Sequence, residues 1–413
     1  MINKNHTLCR HCKHSLHEAV VDLGFSPASN AYLCPDQLQK PELYYPLRLQ
    51  LCENCGLLQT QDYAHPELLF SNDYAYFSST STSWLAHAKR FADMITKRLA
   101  LRSDSFVVEV AANDGYLLKH FLTAGIPCLG IEPTQSTADK ARTFGIPIEQ
   151  NFFTEPLAQK IVSSQGKATL ICANNVYAHV PDINDFTRGL ATLLSSEGTI
   201  TLEFPHLMRL LMGCQFDTIY HEHYSYLSLH AVLCIMKSCG LRLYDVEELP
   251  THGGSLRIYA CHEKAHYEQT GAIERILQEE QNIKIKSPEP YLNLQSQAEA
   301  IKLSFLHFLL ERKQQGDQVA AYGAAAKGNT LLNFAGVKPD LLPTIYDSAP
   351  SKQGRLLPGS HIPVLGPDTL YQNWPDYLII LPWNIFDEIH ASLKEKAPKH
   401  VKFVTFVPEL KII

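Results

Sequence analysis

Phe106-Val107-Val108-Glu109-Val110-Ala111-Ala112-Asn113-Asp114-Gly115-Tyr116 is an apolar run that breaks into small and polar residues, then opens toward a helix-like segment at residues 116–122. A run of this kind suits a strand buried on both faces, and a small-residue turn at its C-terminal end is where open α/β sheets hold ligands. Reading outward, short apolar runs recur at residues 128–131, 168–172 and 199–204, separated by helix-length segments. Strands spaced by helices predict a parallel sheet with right-handed crossovers. Residues 241–246 and 255–261 then read as two strands joined by a loop holding Gly253 and Gly254, an antiparallel pair at the sheet edge. Residues 266–316 are rich in Glu, Gln, Lys and Leu, and 298–314 is amphipathic, so a helical connector is expected. From Gln318 a second alternating unit begins, with strands expected at 319–322, 344–347, 377–381 and 401–406, and helices after Asn329 and over 385–396.

The chain's 413 residues suit about three domains. Lys plus Arg is 36 and Asp plus Glu is 42, a formal charge of −6, which excludes the strongly basic footprint of a nucleic-acid binder. With 45% hydrophobic and 19% charged residues, the composition also excludes disordered and collagen-like classes. The start of the chain has no signal-like apolar run, and nothing later supplies the about 18 apolar residues of a membrane span. Eleven cysteines, an odd number in a long chain, do not suggest a disulfide framework, so a reducing cytoplasm is the expected location.

Four of those cysteines form two knuckles, Cys9-x-x-Cys12 and Cys52-x-x-Cys55. Each pair has the spacing that lets two thiolates bind one tetrahedral zinc, and four thiolates leave no open position for substrate. A structural Zn2+ is therefore expected in residues 1–70, a segment that prolines at 27, 35, 41, 46 and 66 keep from forming a long helix. Arg10 and Lys13 favour thiolates nearby, and Gly56 suits the tight turn after the second pair.

The turn after the first strand lacks the three glycines of Gly-x-Gly-x-x-Gly that admit a dinucleotide pyrophosphate; only Gly115 is present. Glu132, ending the next strand, is placed to accept both hydroxyls of a ribose. The acidic strand (Glu109), the turn residues Ala111, Asn113 and Gly115, and Glu132 together resemble the S-adenosylmethionine site of Rossmann-like methyltransferases. Asn151 and Phe152 would then lie beside the adenine, and Asn174 beside the methionine part.

Tyr220-His221-Glu222-His223-Tyr224 concentrates acid and base groups beyond what packing explains. In an extended segment Tyr220, Glu222 and Tyr224 would share one face, with His221 and His223 on the other. The histidines are two apart rather than the four of a zinc-protease helix, so a general base held by a carboxylate, with a phenol nearby, is the better chemical reading. His179 follows the strand expected at 168–172; by itself, a lone histidine there is more often structural.

Taken in order along the whole chain, the Cys-x-x-Cys pairs, Glu-x-Ala-x-Asn-Asp-Gly, Asn-Val-x-Ala-His-Val-Pro and Ile-Tyr-His-Glu-His resemble the sugar C-methyltransferases, which act on nucleotide-linked 4-keto-deoxyhexoses. The resemblance implies an α/β chain with a small N-terminal zinc-knuckle domain (1–70), a central Rossmann-like S-adenosylmethionine methyltransferase domain (71–265), the helical connector (266–316) and a C-terminal Rossmann-like domain (317–413) holding the nucleotide-sugar. It implies C-methylation at the sugar's third carbon through a base-generated enolate, with His223 as base, Glu222 as its carboxylate partner, Tyr220 as the phenol and His179 as a further active-site histidine. Tyr76 matches a substrate-contacting tyrosine, with Tyr74 close enough to compete for that role. The turn before Lys327-Gly328-Asn329 suits a diphosphate, since helix-start amides and an ammonium favour anions. Asp347, Lys352 and Gly354 are expected in that same pocket, with Gly253-Gly254-Ser255 as another contact. Thymidine diphosphate is the family default; these residues do not choose the nucleotide, the stereochemistry or the oligomeric state, and a monomer is left open. Two other readings are an O- or N-methyltransferase of a different small molecule, and a non-catalytic zinc-knuckle scaffold. Neither nucleic acid nor membrane is expected as a partner.

Overall fold

The computed structural model describes residues 7–61 and 78–413. Strands β1 (Val21–Ser26), β2 (Tyr45–Leu51) and β3 (Leu58–Thr60) form an antiparallel N-terminal sheet. The central sheet comprises β4 (Val107–Val110), β5 (Cys128–Ile131), β6 (Ile148–Glu149), β7 (Ala168–Asn174) and β8 (Leu194–Pro205). The short β9 (Ser225–Tyr226) comes next in the chain, then β10 (Leu241–Leu249) and β11 (Ser255–His262) complete the central sheet. The sheet order is β10-β11-β8-β7-β4-β5-β6, with β11 antiparallel to both neighbours and the pairs from β8 to β6 parallel. The chain runs outward from β4 to β5 and β6, then returns to the other side of β4 for β7. This reversal opens a crevice at the carboxyl ends of β4 and β7. The expected edge pair is present, β10 lying outermost with Leu249 opposite Ser255.

β9 does not join the central sheet. It pairs antiparallel with β3, Leu58 opposite Tyr226 and Gln59 opposite Ser225, so the histidine-rich segment ends as the fourth strand of the N-terminal sheet.

The last sheet holds β12 (Val319–Tyr322), β13 (Ile345–Tyr346), β14 (Val364–Leu365), β15 (Tyr377–Ile380), β16 (Lys402–Thr405) and β17 (Lys411–Ile412), ordered β14-β13-β12-β15-β16-β17. β14 and β17 have two residues each, too short for sequence periodicity to reveal. The connector contains helices Gly271–Asn282 and Glu289–Gln315. The second buries Tyr291, Leu294, Ala298, Ile301, Phe305 and Phe308, spaced by three and four so that they fall on one face. That face packs in a core shared with Leu47 and Leu49 of the N-terminal sheet and Ala321 and Ile379 of the last one. It thereby ties the two ends of the chain into a common core. No helix among the described residues is long and apolar enough to cross a membrane.

Candidate active site

A cavity of about 620 Å³ opens at the central crevice. Ala111, Asn113, Glu132, Asn151, Phe152 and Asn174 all line it, as do His179, Tyr220, His223, Lys327 and Lys352. Ala111 (φ 59°), Asn113 (φ 48°) and Asn175 (φ 53°) sit in the left-handed region, which L side chains adopt at a cost of about 1–3 kcal/mol each. Surrounding bonds hold the turn there. The Glu132 carboxylate accepts the Asn113 amide at 2.9 Å on Oε2, and the Thr134 amide at 2.9 Å and Thr137 hydroxyl at 3.0 Å on Oε1. These donors fix the carboxylate at the edge of the cavity, where it is expected to meet a ribose. Asn113 Oδ1 and Asp114 Oδ2 accept the Ser78 and Ser79 amides at 2.9 and 3.1 Å, fastening the turn to the start of helix Thr82–Arg98.

Two expected cofactor contacts do other work. Glu109 is fully buried beneath the turn and is not part of the cavity wall; burial drives its carboxyl well above the usual range. Gly115 has φ 79°, and a Cβ there would stand 2.5 Å from Ile146, so this glycine serves the turn and its packing rather than the cavity.

The histidine-rich segment is a turn, not an extended run. The His223 amide donates to the Tyr220 carbonyl at 3.0 Å, bringing Tyr220 and His223 to the same side. Nδ1 of His223 lies 2.9 Å from the Thr218 carbonyl, which can only accept, so Nδ1 carries the proton. The Nε2 lone pair then accepts the Tyr220 hydroxyl at 2.8 Å. His179 is set likewise, its Nδ1 2.8 Å from the Glu222 carbonyl and its ring 4.6 Å from that of His223.

The expected pairing of Glu222 with His223 is corrected. The Glu222 carboxylate accepts the Asn30 amide and Nδ2 at 3.1 and 3.2 Å, while the ring bonds of His223 go to Thr218 and Tyr220. Glu222 secures the loop to the N-terminal part instead. His221 turns away to the Pro46 carbonyl. Tyr76 and its competitor Tyr74 lie outside the described residues.

In the last sheet's domain, the helix begins at Ala326, so Lys327 is in its first turn. Its ammonium donates to Asn384 Oδ1 at 2.8 Å and lies 4.7 Å from the Trp383 ring; burial lowers its pKa to about 8. Lys352 also faces the cavity and donates to the Ala324 carbonyl at 2.8 Å. Gly328, Asn329 and Asp347 do not belong to the cavity wall. A Cβ at Gly328 would meet Leu381 at 2.7 Å, Asn329 donates to the Ser29 carbonyl at 2.6 Å, and Asp347 accepts the Ala324 and Ala349 amides. Gly354 turns the chain at φ 77°.

Sequence reasoning missed Asn30, Tyr32, Trp84 and His252, all of which line the cavity. His252 (φ 54°) immediately precedes the pair Gly253-Gly254, and that pair was the available signal. The glycines themselves allow close packing, since a Cβ at Gly253 would meet Trp383 and one at Gly254 would meet Arg209.

The knuckle sulfurs lie within 4.8 Å of one another, with Cys9–Cys55 at 3.6 Å and Cys12–Cys52 at 3.4 Å. Two thiolates on one tetrahedral zinc at about 2.3 Å would stand about 3.8 Å apart, so the set fits the ion. Lys13 (φ 59°) and Gly56 (φ 74°) take the same left-handed position after their knuckles.

Burial lowers the pKa of His179 and His252 to about 4 and holds His223 well below the ordinary imidazole value. For such bases the unfolded chain binds more protons than the native one below about pH 6.5, so the stability they contribute is complete above that and lost on acidification toward pH 4. Buried carboxylates with raised pKa, such as Glu222, act in the opposite sense, so a difference isolates the effect. The Tm of wild type relative to His252→Gln is expected to fall as pH drops from 7 to 4.5; a constant difference by calorimetry would refute the assignment.

Residues 9–70 match the family described as a zinc binding domain, residues 84–246 a methyltransferase domain and residues 250–408 a C-methyltransferase C-terminal domain. The C-methyltransferase NovU of Streptomyces niveus is 32% identical over 405 residues, covering 98% of this chain and 96% of NovU. Among solved structures, magnesium protoporphyrin IX methyltransferase (ChlM) from Synechocystis PCC 6803 with bound SAH is 14% identical, covering 44% of this chain and 85% of its own at a TM-score of 0.34. The PH0226 protein from Pyrococcus horikoshii OT3 is 11% identical, covering 46% and 95% at a TM-score of 0.36.

Proposed function

Because the chain belongs to the S-adenosylmethionine-dependent C-methyltransferase family, we propose that it methylates the third carbon of a nucleotide-linked 4-keto-6-deoxyhexose in branched-deoxysugar biosynthesis. The observation that carries this reading is a neutral His223 whose Nε2 lone pair and Tyr220 partner face the same cavity as the β4 turn. A base aimed into a methyl-donor site is what a carbon nucleophile needs and a hydroxyl or amine needs less.

Bound cofactor supplies an electrophilic methyl already activated by positive sulfur, so the protein's task is to generate the carbanion and align it. His223 is the general base: the proton leaving the sugar's third carbon ends on Nε2, and the electron pair of the broken bond is delocalised onto the adjacent ketone. That carbon would then bond to the methyl that bound cofactor supplies, the methyl–sulfur bond breaking with its electron pair left on sulfur, so that the neutral thioether S-adenosylhomocysteine leaves. Tyr220, released from Nε2 as that nitrogen is protonated, can donate its hydroxyl to the ketone oxygen. His179, neutral because burial lowers its pKa to about 4, adds no repelling charge beside the new imidazolium.

Ala111, Asn113, Glu132, Asn151, Phe152 and Asn174 are the side of the cavity we assign to the cofactor. Lys327 and Lys352 are the cations we assign to the diphosphate, thymidine being the expected nucleoside. Phe152 is 44% exposed, an apolar ring offered to adenine. Phe152→Ala should weaken S-adenosylmethionine binding about 5- to 160-fold, the range for one aromatic–base stack, with calorimetry as the check. The domain plan 1–70, 71–265, 266–316 and 317–413 is the working division. The eleven unbridged cysteines suit a reducing compartment, so we place the enzyme in the cytoplasm.

Incubation with a panel of nucleotide-4-keto-6-deoxysugars plus cofactor, read by mass for one added methyl, tests the assignment. Product from none of them, with methylation of a hydroxyl or amine substrate instead, would replace it.

A further inference from the structure

Arg10 sits between the two cysteines of the first knuckle, yet its side chain is turned inward and only 8% exposed. Its Nη1 donates to the Pro181 carbonyl at 2.7 Å and its Nη2 to the Thr60 carbonyl at 2.8 Å, while its backbone amide donates to Gln59 Oε1 at 2.9 Å. Pro181 is two residues beyond His179. Thr60 holds the other loop, its hydroxyl donating to the His223 carbonyl at 3.1 Å and its amide to the Tyr224 carbonyl at 3.2 Å. The guanidinium also lies 5.3 Å from the centre of the Tyr224 ring, and the Tyr224 amide donates to the Ala178 carbonyl at 2.9 Å. The knuckle is braced on the same side, since Asn184 pairs with His11 through Nδ1 at 2.8 Å and the His11 carbonyl at 2.8 Å.

We propose that Arg10 is a positioning residue of the methyl transfer: the zinc knuckle presents its rigid fork to both loops and so sets the spacing of His179 and His223. A planar guanidinium suits this because two separate nitrogens reach two carbonyls at once with fixed geometry, which a lysine ammonium cannot reproduce. The zinc site, in this view, contributes to alignment as well as to folding, through a residue that does not touch the metal. The proposal rests on the reading of His223 as the base.

The test is Arg10→Met in the full-length enzyme, with Arg10→Lys beside it and His223→Asn as reference. Zinc content is measured by mass spectrometry, cofactor affinity by calorimetry, and steady-state constants and deuterium exchange at the sugar's third carbon by standard assays. For Arg10→Met the expected result is one zinc per chain, cofactor affinity and sugar KM within threefold of wild type, and kcat and exchange rate both reduced at least 30-fold. Arg10→Lys should lose at least tenfold in kcat, and it decides the matter if the methionine variant does not fold. A kcat within threefold of wild type, or an effect confined to KM, would overturn the proposal. So would loss of zinc, because Arg10 would then be a support of the metal site only. If His223→Asn retains turnover, the reading of the base fails instead, whatever Arg10 does.

Discussion

Replacing His223 with asparagine is expected to lower kcat by about 10²- to 10⁴-fold while leaving S-adenosylmethionine affinity within a few-fold. The substitution separates the two ring nitrogens. An asparagine amide can keep the Nδ1 role, donating to the Thr218 carbonyl that now lies 2.9 Å from the ring, but it offers no basic lone pair at the Nε2 position facing Tyr220. The loop should therefore stay in place while the base is lost. The side of the cavity we assign to the cofactor is built on β4, β5, β6 and β7 and contains no part of this ring, which is why calorimetry should register little. Solvent exchange sharpens the result: wild type should wash deuterium into the carbon beside the ketone, and the variant should not. Methyl transfer at near wild-type rate would remove His223 from the base role. It would also favour an oxygen or nitrogen nucleophile, whose deprotonation asks much less of the protein.

What could be read in advance divides by distance along the chain. The knuckles and the turn after β4 were legible because their chemistry lies in a few consecutive residues. The parallel direction of the central strands, though not their order in the sheet, followed from their alternation with helices. Glu222 was misread because alternation was applied to a segment that turns: the bond from the His223 amide to the Tyr220 carbonyl puts residues three apart, not two apart, on the same side. Lys327-Gly328-Asn329 reads as one anion-binding motif, but a helix beginning at Ala326 rotates successive residues by about 100°, sending Gly328 to Leu381 and Asn329 to Ser29. Asn30, Tyr32, Trp84 and His252 reach the cavity from three remote segments, and no local spacing announces such a meeting. The same holds for β9, whose two residues carry no periodicity; only its partner β3, some 165 residues earlier in sequence, defines it as a strand.

That pairing of β9 with β3 gives the second large effect, expected on replacing Cys52 with serine. Three thiolates hold zinc far less well than four. Structural zinc in small domains contributes an apparent 10–16 kcal/mol, comparable with the 5–15 kcal/mol by which whole domains are stable. Its loss should not unfold everything. Val21, Leu47 and Leu49 of β1 and β2 pack in the core built on the helix Glu289–Gln315, which does not depend on the metal. Cys9, Leu16, Cys52, Cys55 and Leu57 belong instead to the core of the central sheet and lie at or beside the knuckles. Melting should therefore begin there and loosen β3, which starts three residues after Cys55 and whose Gln59 accepts the Arg10 amide, although Leu58 itself packs in the first core. With β3 loosened, the strand β9 loses register with its partner, and Thr60 no longer holds His223 firmly through its carbonyl. Cys52→Ser is thus expected to carry little zinc, to show an early partial unfolding transition, and to lose at least 100-fold in turnover. The β4 crevice should still bind S-adenosylmethionine within about tenfold. Parallel loss of cofactor binding and turnover would mean global unfolding and refute the local account. A zinc-free variant that turned over within tenfold of wild type would refute the link from knuckle to catalytic loop altogether. The separation of those two readouts follows from the fold, because the crevice we assign to the methyl donor and the base we propose are built on different sheets.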